Sequence, residues 1–404
     1  MTSPLAVHHE FEQFGASTLP NELRGELREL TLPSASEDAR RAIRSECPAS
    51  PGVYGWISPD GRLVYIGKSK ALRFRLVSYF AKQPADPKMG RIRRHASRLV
   101  WETVGDELLA LLREQELIHR FRPDFNFQGQ PHRRQPGFVA ISNSAAPHAF
   151  AAKQFRISCQ RAFGPIAGMK DLRQAVAVLN HYFRLRDCSD QIRFDFGQQG
   201  RLFADERRAL CLRFELGSCP APCAALCHKS EYQSGLQRAV DFLLGTNRSC
   251  LTDLKQRMEQ AATRREFERA AILRDRLETL ARLDRQLARL RKAEQTIHGI
   301  LPIPFGKRKQ LWLLFHRSRF AGYVVEPRTA QQQLNVIKRL TALKDQPPQL
   351  PQSSLDVHWQ LILASWFRKS PTDLDRIVPF HTAIENGATN LQPLEKDRSL
   401  RSAS

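Results

Sequence analysis

The stretch from Pro51 to Phe80 leaves this chain the least freedom. It reads GVYGWI, a turn at Pro59-Asp60-Gly61, RLVYIG, and then KSKALRFRLVSYF. Two short apolar runs about a reverse turn are the signature of a β-hairpin. Behind it Leu72, Leu76, Val77 and Phe80 repeat at helical spacing among Arg73, Arg75 and Lys82. A tyrosine-bearing hairpin therefore runs directly into a basic helix. A second helix is expected in DELLALLREQELIHRF, with Leu108, Leu111, Leu112 and Ile118 on or near one face and a stop before Pro123.

The basic helix belongs to a basic chain. Lys and Arg number 63 against 41 acidic residues, a formal charge of +22 on 404 residues. Such an excess points to a polyanionic partner, nucleic acid first. No stretch approaches the roughly 18 uninterrupted apolar residues of a membrane span. The start, MTSPLAVHHEFEQFG, has no apolar run behind a basic end, so the expectation is a cytoplasmic protein with no membrane partner. Eight cysteines are too few to staple a chain of this length, and four fall within residues 211–227, which points to metal in a reducing compartment.

Phosphodiester hydrolysis needs a positioned water, a base, a cation for the developing charge and usually a metal for the leaving oxygen. Residues 52–126 supply each type. Tyr54 and Tyr65 can take or relay a proton if nearby cations depress their pKa values, and Lys68 and Arg75 are such cations. Glu114 is a hard-oxygen ligand suited to Mg²⁺. Taken singly, a strand tyrosine is an ordinary packing residue and a helical glutamate an ordinary solvated one. The ordered set carries the reading.

GVY, the eleven-residue step from Tyr54 to Tyr65, YIG, GKSKALRFRLVSYF and LLREQELIHRFRPDFN together resemble the GIY-YIG nuclease domain of UvrC-type endonucleases, including the shorter homologue Cho. The resemblance implies Tyr54 and Tyr65 in the paired motifs, Gly67 in the tight turn, and Lys68, Arg75 and Tyr79 on the helix. It also implies Glu114 as the Mg²⁺ (or Mn²⁺) ligand with Asn126 as its support. Tyr65 is favoured as the general base. Two departures stand out: Ala71 where such proteins usually carry Asn, and Phe125 where a Tyr commonly precedes the final Asn.

Cys188, Cys211, Cys219 and Cys223 follow at intervals of 23, 8 and 4, and four gathered thiolates bind Zn²⁺ or an iron–sulfur cluster. The spacing alone does not choose. FRLRDC and CLRFELGSCPAPC are similar to the cysteine-bearing segment after the nuclease domain of UvrC, which implies a 4Fe–4S cluster, with Zn²⁺ the alternative and Cys227 a substitute ligand. Cys47, Cys159 and Cys250 read as core cysteines. Residues 251–286, with an apolar stripe broken near Thr263 to Glu266, read as an antiparallel helical hairpin. Its EFERAAILRD resembles the UVR motif through which UvrC and UvrB meet. That implies a UvrB-like helicase subunit as partner, met through Phe267, Ala270, Leu273 and Arg274. An isolated hairpin buries little area by itself, which also favours an outside partner.

The fold expected is α+β: a small GIY-YIG α/β domain at 47–130, a cysteine-rich metal-cluster module at 150–230, a helical region at 231–290 holding the UVR hairpin, and a small unassigned C-terminal α/β region at 300–404. Residues 1–46 read as an arm with one amphipathic piece, Glu22 to Leu32. Residues 131–150 read as linker or strand, 309–326 as a β-hairpin, and the last thirty as disordered. The implied activity is a metal-dependent incision in damaged double-stranded DNA within a UvrB-containing complex. One type of incision only is expected, because Asp356, Asp373 and Asp375 read as helical and not as a second nuclease's triad, and the resemblance to UvrC and Cho implies that it is the 3′-side cut. The alternatives are a non-cleaving accessory DNA-binding protein and a GIY-YIG nuclease acting outside excision repair.

Overall fold

The tyrosine-bearing hairpin forms as the sequence predicts and lies inside a larger sheet. The computed structural model describes residues 10–391 apart from 82–85, 127–135, 154–158, 193, 198–210, 306–308, 348, 350, 352 and 390. It divides into two units, Met1–Arg133 with Glu294–Ser404, and Arg134–Ala293.

In the first unit β1 (Arg28–Thr31), β2 (Gly52–Ile57), β3 (Leu63–Ser69) and β4 (Arg98–Thr103) form an antiparallel sheet in the order β1-β4-β2-β3. Every residue of β2 is buried, because both faces of the strand are covered. Tyr54 and Trp56 point into a core with Ile43, Leu72, Leu76 and Ile92, from α1 (Ser36–Glu46), α2 (Leu72–Ser78) and α3 (Pro87–Arg94). Val53 and Ile57 point the other way, to Phe11, Phe14, Leu117 and Ile118. The alternation is the two-residue period of a strand. Ile118 lies on α4 (Glu107–Phe121), whose N-cap Asp106 accepts from the Leu108 and Leu109 amides at 2.7 and 3.4 Å.

Residues 10–46 are therefore no detached arm. Phe11, Phe14 and Leu19 are buried, and the piece read as amphipathic becomes an edge strand paired with β4. A buried ionic network fixes this segment. Arg113 on α4 is 0% exposed and Glu102 on β4 is 2% exposed. Arg113 reaches Glu102 at 3.3 Å and Glu116 at 2.7 Å, and Arg24 reaches Glu102 at 2.8 Å. Glu116 also accepts from Ser17 Oγ and the Thr18 amide, and Arg113 donates to the Gly15 carbonyl at 3.0 Å.

In the second unit β5 (Gly137–Ser142), β6 (Ala149–Ala152) and β7 (Cys159–Ile166) form a sheet in the order β6-β5-β7, so of the segment read as linker or strand, residues 137–142 are the central strand. α5 (Met169–Tyr182), α6 (Leu212–Glu215) and α7 (Lys229–Leu244) precede the hairpin of α8 (Ser249–Thr263) and α9 (Phe267–Thr296), which turns where the apolar stripe breaks. The hairpin buries its stripe within its own unit. Leu254, Ala261, Leu273 and Leu280 share one core with Val139, Leu172 and Leu179.

The rest of the first unit is a three-stranded antiparallel sheet of β8 (Gly299–Phe305), β9 (Lys309–His316) and β10 (Arg319–Val325). It packs with α10 (Ala330–Asp345), α11 (Ser354–Lys369), α12 (Pro371–Asp375) and α13 (Phe380–Glu385). Asp356 lies on α11, and Asp373 and Asp375 on α12, as read. The last thirty residues are not disordered from their start: Val378 bridges to Ile300, and Phe380 and Leu391 are buried. Residues 392–404 lie outside the described residues. Among the described residues no helix is long and apolar enough to cross a membrane.

Removing one member of a buried ion pair strands the other. Arg113→Ala should cost about 3–5 kcal/mol, read from urea denaturation. A loss below about 1 kcal/mol would show that Glu102 and Glu116 are satisfied without it.

Candidate active site

The first unit brings together most of the residues singled out between Tyr54 and Asn126. Tyr54 faces Gly67 across the β2–β3 pair, and its ring lies over that glycine: a Cβ on Gly67 would sit 2.5 Å from Tyr54 Cζ and Oη. Gly67 is thus a mid-strand residue, not part of a tight turn. It is small because the Tyr54 ring needs the space. Lys68 also lies on β3 and not on the helix.

Arg75 on α2 donates from Nε to Tyr54 Oη at 3.1 Å, and Tyr54 Oη lies 3.0 Å from Tyr79 Oη. The Tyr65 and Tyr79 hydroxyls are near enough to influence each other's ionisation. A guanidinium only donates, so the buried Tyr54 proton is satisfied by pointing to Tyr79, which leaves the Tyr79 proton to turn outward, toward the side where Tyr65 lies. The chain has a direction, with the Tyr65 hydroxyl on its outer side. Burial raises the pKa of Tyr54, Tyr65 and Tyr79, and Arg75 opposes it only in part. The expectation of depressed tyrosine pKa values is corrected: desolvation outweighs the nearby cation.

Glu114 on α4, Tyr65 and Asn126 line one cavity of about 420 Å³. Burial raises the Glu114 carboxyl to about 7, opposed by the Lys68 ammonium, a hydrogen bond from the Lys68 amide, and Lys88 and Arg75. Asn126 does not support Glu114 directly. Its Oδ1 accepts from the Ile66 amide at 2.8 Å and its Nδ2 donates to the Ile66 carbonyl at 2.7 Å, which clips the loop after α4 to the edge of β3. Phe125 donates its amide to the Val64 carbonyl at 3.0 Å, a backbone bond that Phe makes as well as Tyr. Ala71 is the N-cap of α2 and offers no side-chain cap. The first two amides of that helix go instead to the Ser50 and Pro48 carbonyls.

Lys68 is engaged elsewhere, with its ammonium 2.8 Å from Glu107 and 5.7 Å from the Trp366 ring. The cation that lines the cavity is Lys88, with Nζ 4.9 Å over the Tyr65 ring. Burial lowers its pKa. It lies beyond the tyrosine motifs, and its sole sequence signal is the Asp-Pro-Lys start of a helix, in which Asp86 caps the Lys88 amide at 2.8 Å.

In the second unit the thiols of Cys188, Cys211, Cys219 and Cys223 are near enough to act on one another electrostatically. Burial raises the pKa of the Cys219 and Cys223 thiols. Among the described residues no three of Cys, His, Asp or Glu are set to hold a metal ion. In the helical hairpin Phe267 is 69% exposed, and Ile272 and Arg274 are exposed as well. Leu273 is buried and Ala270 packs on the same core, so these two face inward. Ile272 is the exposed apolar residue that the sequence reading missed.

Comparison with known proteins gives three consecutive matches. Residues 50–127 match the model of the UvrC-like GIY-YIG domain, 138–242 that of the UvrC/Cho excinuclease middle domain, and 250–283 that of the UvrB/uvrC motif. UvrABC system protein C of Pseudomonas fluorescens (strain SBW25) is 32% identical over 245 residues, 61% of this chain and 38% of that protein. Its counterpart in Pseudomonas syringae pv. syringae (strain B728a) is 31% identical over 245 residues, with the same 61% and 38%. The matched segment thus spans well under half the length of these relatives. The crystal structure of the GIY-YIG N-terminal endonuclease domain of UvrC from Thermotoga maritima, bound to its catalytic magnesium, is 38% identical. It covers 22% of this chain and 97% of that one, with a TM-score of 0.20.

A carboxyl held at about 7 in the folded state, above its ordinary 4.5, binds its proton more tightly folded than unfolded. Its contribution is neutral below the unfolded value and becomes destabilising as pH rises through the folded one. In EDTA, Glu114→Gln should match wild type near pH 4 and be more stable by about 2 kcal/mol at pH 8, measured by thermal unfolding. A stability difference that does not change with pH would refute the raised value.

Proposed function

We propose that this chain is a divalent-metal-dependent DNA endonuclease of the UvrC type, making the 3′-side incision of nucleotide excision repair in damaged duplex with a UvrB-like partner. The observation that carries the reading is the hydrogen-bonded set Arg75–Tyr54–Tyr79, with Tyr65 beside it on the wall of the cavity that holds Glu114. The family matches and the charge of +22 support the same reading.

In this reading Tyr65 is the proton acceptor. A phenolate there is stabilised in series by the Tyr79 hydroxyl, the Tyr54 hydroxyl and the Arg75 guanidinium, which lowers the cost of removing a proton from an attacking water. Arg75 and Lys88 balance the charge that develops on the phosphate, and Lys68 keeps Glu107 in place. A single half-buried carboxylate opening on a cavity that Lys88 and Asn126 also line suits Mg²⁺ (or Mn²⁺), which binds through one or two carboxylates and keeps its other positions for water and phosphate oxygens. Glu114 would hold the ion, which when bound supplies Lewis-acid stabilisation of the leaving oxygen.

We assign Phe267, with Arg274 and Ile272, to the face that meets the UvrB-like subunit, and Leu273 and Ala270 to the packing behind it. Cys188, Cys211, Cys219 and Cys223 are proposed as ligands of a 4Fe–4S cluster, or of Zn²⁺. The mutual influence of their thiols supports this, whereas their positions do not form a coordination shell, and no step is derived through the group. By residue range we propose 47–130 as the nuclease domain, 150–230 as the cysteine module and 251–286 as the UVR hairpin, in a cytoplasmic protein.

Strand-resolved cleavage of a UvrB-loaded damaged duplex tests the nuclease reading. Wild type should nick on the 3′ side with Mg²⁺ and not with EDTA, and Glu114→Ala should lose about 10²-fold or more. Phe267→Glu should cut less for want of UvrB binding. No nick under any divalent metal would favour a non-cleaving accessory protein, and a nick independent of UvrB a nuclease outside excision repair. Iron, sulfide and zinc assays of protein purified without oxygen test the cysteines. A full complement of one metal, lost in Cys219→Ser, is expected, and metal-free protein would refute the assignment.

A further inference from the structure

The cavity beside Glu114 has a wall that the matched segments do not contain. Those segments end at residue 283, whereas His358, Leu361, Ile362 and Ser365 of α11 line the cavity together with Tyr65, Glu114 and Ile118. His358 stands three and four residues before Leu361 and Ile362, and Ser365 four and three after them, so the four form one stripe of α11. The neighbouring stripe, Trp359, Leu363 and Phe367, is buried. Trp359 donates from Nε1 to the Leu112 carbonyl at 3.1 Å, and the His358 ring lies 4.6 Å from that of His119. Both contacts seat α11 against α4, one turn from Glu114.

The resulting site is chemically divided. β3, α3 and α4 contribute the Tyr65 phenol, the Lys88 ammonium and the catalytic carboxylate, with Ile118 one turn beyond it on α4; α11 contributes the apolar Leu361 and Ile362, with the His358 ring and Ser365 hydroxyl on the same stripe. A phosphate-only site has no use for an apolar wall. A volume of about 420 Å³ lies within the range of pockets for small planar ligands. A nucleobase offers two apolar faces and a hydrogen-bonding edge, which suits such a wall with polar groups at its border.

We propose that this stripe of α11 forms a nucleobase pocket beside Glu114, and that it takes an unpaired base of the strand being cut, next to the scissile phosphate. A base inside a duplex cannot enter, so the site selects a strand that is already unpaired or has been opened by a partner. The inference rests on the nuclease reading for its catalytic neighbour and goes beyond it in naming the substrate feature that is read.

The test uses the full chain and bubble duplexes that carry either a normal nucleotide or an abasic one on each side of the cut. Wild type should cut the base-bearing strand about tenfold faster than the abasic strand at one flank. Ile362→Trp, which fills the pocket, should drop to the abasic rate on the base-bearing strand and lose nothing more on the abasic one. Leu361→Trp serves as the second filled variant if Ile362→Trp unfolds. Equal slowing on both strands, or a wild type indifferent to the abasic site at either flank, overturns the pocket. Binding gives a second readout that needs no cleavage: 2-aminopurine scanned through the bubble in EDTA should brighten at one position with wild type and not with the filled variant. Brightening without cutting would support the pocket and remove the nuclease reading, and brightening that survives the filling would overturn the pocket.

Discussion

The first unit is organised around a guanidinium that has left water entirely. Arg113 is fully buried, and it is tolerable there only because two carboxylates and two backbone carbonyls surround it. Those partners come from three places in the chain: Glu102 from β4, Glu116 from α4, and Gly15 and Ala16 from the N-terminal segment. One side chain thus fixes the register of a helix against a sheet and folds the first residues over both. Glu114 is its immediate neighbour on α4. The network therefore sets where that carboxylate points, although none of its members lines the cavity.

The site itself is held at an energetic cost. Three phenols and a carboxyl are confined where their charged forms are poorly solvated, and the tyrosine chain is satisfied only if each hydroxyl donates outward. That order follows from an elementary asymmetry: an arginine at the inner end has no lone pair to offer. A lysine at the position of Arg75 would keep the charge but lose the planar fork that fixes the angle of donation.

What was legible in the sequence was what local pattern controls. The hairpin, the basic helix and the paired helices were readable because apolar periodicity and turn residues specify them over short distances, and the order of Tyr54, Tyr65, Arg75, Tyr79 and Glu114 survived into one site. Four features were not readable. Glu22 to Leu32 has a helix-like pattern but its residues 28–31 pair as a strand, because β4 offers them a free edge and tertiary pairing overrides propensity. Gly67 looked like a turn residue, since sequence does not show that a ring crosses it. Lys68 looked like the site's cation and Lys88 did not, because which lysine a glutamate captures is decided by Glu107, far along the chain. The inward placement of Leu273 was hidden likewise, by a core shared with β5 and α5.

The first unit is discontinuous in sequence: residues 1–133 and 294–404 belong together, with the whole second unit encoded between them. Synthesis proceeds from the N-terminus, and domains generally fold as they emerge. The sheet that bears Tyr54 and Tyr65 can form early, whereas the Trp359 contact with Leu112 closes a loop of 247 residues. Closure over such a length is entropically slower to win than any local pairing, though its cost grows only logarithmically. A ribosome-bound chain thus carries its tyrosines and Glu114 well before it carries α11, and the last wall of the cavity is added only when the translation of this region is nearly done.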